Sequence, residues 1–221
     1  MSLLALVLVN LAPLVGVIWF DWDVAALVVL YWSENLVLGF YTICKMLLVS
    51  PIGGIFSSAF FLIHFGGFCA VHGLFIMALL VDDNMSIMEG ESWPLFLVFV
   101  QLLVEVVRKV LSYAPPAWMV AFMALYISHG ISFFQNFIVG GERETATINQ
   151  LMGEPYGRIV VLHITIIFGG MAIMALGENL ALLLLLVVLK LGMDIGLHRR
   201  QHRKYAERAA LAETDDETCA Q

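Results

Sequence analysis

From Pro51 to Val81 the chain carries no Asp, Glu, Lys or Arg. A helix needs about 20 apolar residues to cross the hydrocarbon core of a bilayer, and a few more when tilted. The run meets that requirement, yet it holds two imidazoles, His64 and His72, in the stretch "LIHFGGFCAVHGLFI". Any fold assigned to this chain has to seat both rings in apolar surroundings.

Similar runs recur along the sequence. Hydrophobic residues make up 61% of the 221 and charged residues 13%, against about 45–50% and about 25% in a soluble domain. This pattern predicts an all-α, polytopic bundle of transmembrane helices with no room for a sizeable soluble domain. Residues 1–197 form the membrane domain, and 198–221 form a polar, disordered tail. The first twenty residues lack a basic leader and a small-residue cleavage site, and "FDWD" follows them, so they read as a retained first helix. Cys44, Cys69 and Cys219 follow no paired spacing, which argues against a disulfide framework or a four-thiolate zinc site.

The predicted spans run over 3–20, 24–48, 55–81, 116–139, 158–176 and 178–197. Segment 94–113 stands apart. Its polar residues Gln101, Glu105, Arg108, Lys109 and Ser112 fall on one helical stripe. Such a helix either lies in the interface or spans with its stripe turned toward other helices. The first choice gives six spans plus one interfacial helix, the second gives seven. The tail, with Arg199, Arg200, Arg203, Lys204 and Arg208, belongs on the cytoplasmic side of the plasma membrane by the positive-inside rule. Six spans also bring Lys45, Arg143 and Arg158 to that side and leave the acidic "DWD" and "DDNMSIMEGE" outside, so six is the arrangement favoured here.

Titratable groups inside a bilayer cost a few kcal/mol each near its centre (roughly 3 on insertion scales) and mark functional sites by default. The candidates are Glu34 with Asn35, His64, His72, His129, Asn136, His163, Lys190 and Asp194, with His198 just beyond the last span. In six spans, depths counted from the inner helix ends place His64, His129 and His163 within roughly 6 Å of one level. Glu34 and His72 fall deeper and form a second pair. Three imidazoles at one depth, with Glu34 or Asp194 as the catalytic carboxylate, is the donor set of an open zinc site. Depth is one coordinate only, and helix rotation decides whether rings meet. Each histidine also has a plainer role as an interhelical hydrogen-bond partner. Lys190, Asp194 and His198 recur at i, i+4 and i+8, which equally describes a salt-bridge ladder at the membrane edge. The pair Gly66–Gly67 reads as close helix packing.

The series "YWSEN", "HFGGFCAVHGLF", "SHGISFFQNFIVGGE", "LHITIIFGG" and "KLGMDIGLHRRQH" resembles an uncharacterised family of bacterial and archaeal multi-pass membrane proteins, a domain-of-unknown-function family. That resemblance implies no activity. The histidine layer is similar, by analogy alone, to the intramembrane zinc hydrolases of the ceramidase and adiponectin-receptor type, none of whose sequence motifs occur here. Four functions stay open. One is a metal-dependent intramembrane hydrolase, with His64, His129 and His163 on zinc and a lipid or small-molecule substrate. Another is a proton-coupled transporter or channel using Glu34 and His72. The others are a bis-histidine haem protein and a non-catalytic scaffold. The expected partner is the bilayer, and nucleic acid is not expected. The G-x-S-x-G, H-E-x-x-H and phosphate-loop patterns do not occur.

Overall fold

The structure, a computed structural model, describes residues 18–19, 22–80, 91–176, 184–185, 187–189 and 191–192. Among them every regular element is helical. Helix α1 spans Val24–Val49, α2 Pro51–Leu80, α3 Leu97–Tyr113 and α4 Pro116–Ser132. Helix α4 continues as a π-helix over Phe133–Val139, followed by short helices α5 (Glu142–Thr145) and α6 (Ile148–Gly153), then α7 (Tyr156–Leu176). Among the described residues four stretches are long and apolar enough to cross a membrane: Val24–Val49, Pro51–Leu80, Pro116–Val139 and Ile148–Gly169.

Local chemistry sets the boundaries. The Asp23 carboxylate accepts from the Ala25 amide at 2.9 Å and caps α1. Ser50 and Ala114 are extended, as residues before proline must be, and they end α1 and α3. Pro51 and Pro116 then open α2 and α4, where the missing N–H is no loss. A reciprocal capping box between Thr147 and Gln150 starts α6.

Two apolar clusters mark the two ends of the bundle. At one end Val28, Val29, Trp32, Ile76, Met77 and Trp118 pack with Val106, Val110, Ile166 and Val187. At the other, Met46, Phe61, Phe65, Phe137, Leu151 and Ile159 pack together. The last residues of α2 and the first of α4 both join the first cluster, so the chain between them returns to the end it left. Helix α3 occupies that interval and departs from the flat orientation expected of it. A Cβ at Gly67 would meet Phe99 at 3.3 Å, one at Gly66 would meet Leu103 at 3.2 Å, and one at Gly73 would meet Val106 at 2.7 Å. Helix α3 therefore runs lengthwise beside the second half of α2. It ends where the Tyr113 hydroxyl donates to Asp23 Oδ2 at 2.7 Å.

The reason lies in its polar stripe, which splits. Gln101 is buried and satisfied by backbone, accepting from the Trp93 amide at 2.8 Å and donating to the Glu91 carbonyl at 3.0 Å. Arg108 is exposed and folds onto Glu105 at 2.9 Å. Val106 and Val110 are then left to pack inward.

The tightest junction is at Gly73, where a Cβ would also lie 2.6 Å from Trp32 Cζ2. Trp32 reaches this point on α1 while donating its indole N–H to the Cys69 carbonyl at 2.8 Å. Glycine here lets α1, α2 and α3 meet in one place.

Candidate functional site

Helix α2 presents His64, Gly67, Phe68, Val71, His72 and Phe75 along one stripe of a cavity of about 860 Å³. Helix α7 supplies His163, Ile166, Ile167 and Met171, and Phe96 and Phe99 close the side where α3 begins. The wall is aromatic and aliphatic apart from its three histidines. His72 is 3% exposed. Its Nδ1 lies 2.6 Å from the Phe68 carbonyl, and its Nε2 lies 3.0 Å from His163 Nδ1. His64 is exposed, and its Nδ1 lies 2.7 Å from the Tyr156 hydroxyl.

A second, polar cavity of about 370 Å³ lies on the other side of α7. Lys45, His129, Asn136, Glu142, Glu154 and Arg158 line it together with Tyr41, Thr42 and Ser132. Beside it, Arg158 Nη1 meets Glu34 Oε1 at 2.5 Å and His129 Nε2 lies 3.5 Å from the same oxygen. The Glu34 side chain is 12% exposed, so its charge is largely withdrawn from water and held by α7 and α4. Lys45 Nζ lies 4.0 Å from Glu154 and 5.3 Å from the centre of the Phe137 ring. The π-helix contributes to this cavity. Phe133 and Asn136 line it, with the Asn136 amide donating to Ser132 Oγ at 3.0 Å. π-Helical turns cluster at functional positions.

The expected residues are thus regrouped. His163 meets His72, His129 meets Glu34, and His64 meets Tyr156. His64, His129 and His163 do not converge, and no group of three His, Cys, Asp or Glu side chains fit for a metal ion exists among the described residues. Nor is Glu34 the partner through which His72 reaches another helix, since that bond runs to His163.

The shift in level has a cause. Residues 140–155 fold as α5 and α6 against the ends of α1 and α2. The Arg143 Nε–H donates to the Leu48 carbonyl at 3.1 Å, Leu151 is buried, and Ile148 lies over Gly53. Helix α7 therefore starts level with His64, well up α2, rather than at its end. Running the same way as α2, it brings His163 to the residue two turns further on, His72.

Asn35 is buried and donates to the Tyr31 and Trp32 carbonyls of its own helix at 3.3 and 3.2 Å. Lys190, Asp194 and His198 lie outside the described residues, as do Cys219, the tail and most of the first and last predicted spans. Sequence reasoning did not count Arg158 and Tyr156 among the site residues. A lone acid at the centre of one span is protonated, paired or in a wet cavity, and Arg158, at the start of another span, was the available signal for pairing.

No curated protein matches the chain, and no solved structure does either. A family model does match, over residues 1–211. The all-helical bundle with its histidine cavity and its Glu34–Arg158–His129 cluster thus belongs to a chain that is a member of DUF6498, a family of unknown function.

Proposed function

We propose that this is a multi-pass integral membrane protein that takes an apolar molecule from the bilayer into the histidine-lined cavity between α2 and α7. The cavity carries the proposal. Its size lies within the roughly 300–1,000 Å³ typical of ligand sites, and an apolar wall with a few convergent polar groups is the usual composition of such sites. Lipids and other apolar small molecules are the class it suits.

Val71 stands at the middle of the α2 stripe, so Val71→Trp fills the cavity without replacing a histidine. The test is capture of a photoactivatable long-chain lipid by the full chain in nanodiscs. Val71→Trp is expected to lower capture at least about tenfold. Unchanged capture refutes the cavity as the site.

The proposed topology has six crossings with both termini cytoplasmic. Its supports are the return of the chain to one end between α2 and α4 and the basic tail. A reporter fused after Leu48 is expected to read cytoplasmic and one at Asn84 exterior. The reverse pair of readings overturns this topology.

A second function has its own observation. The pairing of Glu34 with Arg158 and His129 at the head of a polar cavity supports a reading in which Glu34 carries protons for coupled transport. Proton flux into liposomes that is abolished by Glu34→Gln, in folded protein, supports it. Flux that is absent or unaffected removes it.

A further inference from the structure

We infer that the molecule in the histidine cavity carries a hydroxyl-type hydrogen-bond donor, an O–H presented to His163 Nε2. The inference rests on the cavity being a ligand site and adds the chemical class of its occupant.

The argument is one of proton positions. A backbone carbonyl only accepts, so the 2.6 Å contact between His72 Nδ1 and the Phe68 oxygen puts a proton on Nδ1. A neutral His72 then has a bare Nε2. The 3.0 Å contact with His163 Nδ1 becomes a hydrogen bond only if His163 donates from Nδ1. A neutral His163 is thereby left with a lone pair on Nε2. A positive charge on the pair would face a wall of phenylalanine and aliphatic side chains, where an unpaired ion is costly. The neutral chain, running His163 to His72 to Phe68, therefore describes the pair.

One ring fixes the next, and the last nitrogen of the series, on a histidine that lines the cavity, is an acceptor. His64 sets no such preference, because its bond to the Tyr156 hydroxyl forms with either group donating. The aromatic and aliphatic wall takes the rest of the molecule. The class is a long-chain alcohol or other single-headed amphiphile with an O–H group. Ethers, esters and aldehydes of the same length offer oxygen acceptors only and leave Nε2 unpaired.

The experiment uses the full chain in phosphatidylcholine nanodiscs. The probe is a diazirine-bearing long-chain alcohol, and the competitors are the unlabelled alcohol, its methyl ether and the matching aldehyde. In the wild type the alcohol is expected to compete about tenfold better than the ether or the aldehyde, the value of roughly one hydrogen bond. In His163→Phe the three competitors should become equal while capture persists. Equal competition in the wild type overturns the inference and leaves the cavity standing as a ligand site. Discrimination that survives His163→Phe also overturns it. No capture by the wild type, or capture indifferent to Val71→Trp, refutes the cavity itself and the inference with it. The wild-type competition decides the matter even if the histidine variant does not fold.

Discussion

The two cavities share a helix and differ in how they keep polar groups stable. Arg158 and His163 are five residues apart on α7, roughly 140° around its axis. One therefore reaches α1 and the other α2. On the α1 side the groups are ionic: Arg158 meets Glu34, and Lys45 approaches Glu154. On the α2 side they are imidazoles joined to each other and to a backbone carbonyl within an apolar wall. Removing one member of an ion pair strands a charge, whereas removing one member of a neutral pair strands only a lone pair or an N–H. The two sides of α7 should therefore respond very differently to single substitutions.

The largest effect is expected at Arg158. Arg158→Met leaves the Glu34 carboxylate largely buried without its closest cation, at a cost of roughly 3 kcal/mol, the lower end for a broken buried pair because Arg158 is 31% exposed. Glu34→Leu in the same chain should recover most of that loss. Thermal unfolding in detergent checks both variants. A double variant as unstable as the single one would show that Arg158 acts through packing and not through charge.

Next comes Gly73, which stands on the α2 face opposed to both Trp32 and Val106. Gly73→Ala places a methyl 2.6 Å from the indole and 2.7 Å from the valine, so something must shift, at about 2 kcal/mol for an overpacked core. Because Trp32 is tied to the Cys69 carbonyl, the shift should separate α1 from α2 and weaken lipid capture as well as stability. Gly141→Ala meets nothing within 4 Å but sits at φ +78. There the cost is conformational, and the cavity should be untouched.

His163→Phe should cost far less than Arg158→Met. Interhelical side-chain hydrogen bonds in membranes average about 0.6 kcal/mol, and His163 is itself exposed, so the phenylalanine leaves no large buried gap. A loss as large as that of Arg158→Met would mean that the histidine pair carries a charge, and the contrast between the two sides of α7 would fail.

Much of this fold was legible because its punctuation is chemical. Prolines 51 and 116 and the Asp23 cap mark helix starts in the structure, and spans expected at 24–48 and 116–139 are found as Val24–Val49 and Pro116–Val139, while the span expected from 55 begins at Pro51. The candidate site was legible as a set of residues and not as a set of partners. His64 and His163 do line one cavity, but their neighbours depend on where α7 begins. That start depends in turn on α5 and α6, which lie in the most polar stretch before the tail and read as a loop. An offset of about two helical turns moved His163 from the level of His64 to that of His72. The amphipathic stripe of α3 misled for a related reason. Gln101 is polar by composition, but backbone satisfies it and buries it.

The smallest effect is expected at the Tyr113 hydroxyl, which ties the end of α3 to the start of α1 and belongs to neither cavity. Burial first, and then its bond to Asp23, push the Tyr113 hydroxyl up to about 12. Its proton is held more tightly in the folded state than in the unfolded chain, where a tyrosine titrates near 10 (about its ordinary value). The hydroxyl therefore stabilises the fold fully below about pH 10, and its contribution fades as pH rises toward 12. Tyr113→Phe should cost about 0.5 kcal/mol at pH 7, since the bond is exposed. The difference from wild type should shrink between pH 10 and 12. A paired unfolding series at pH 7, 9 and 11 (roughly spanning the ordinary tyrosine range) checks the trend. A difference that grows with pH would mean that Asp23 and the ionised Tyr113 are kept apart by a cation and that the end of α3 is held by charge rather than by this hydrogen bond.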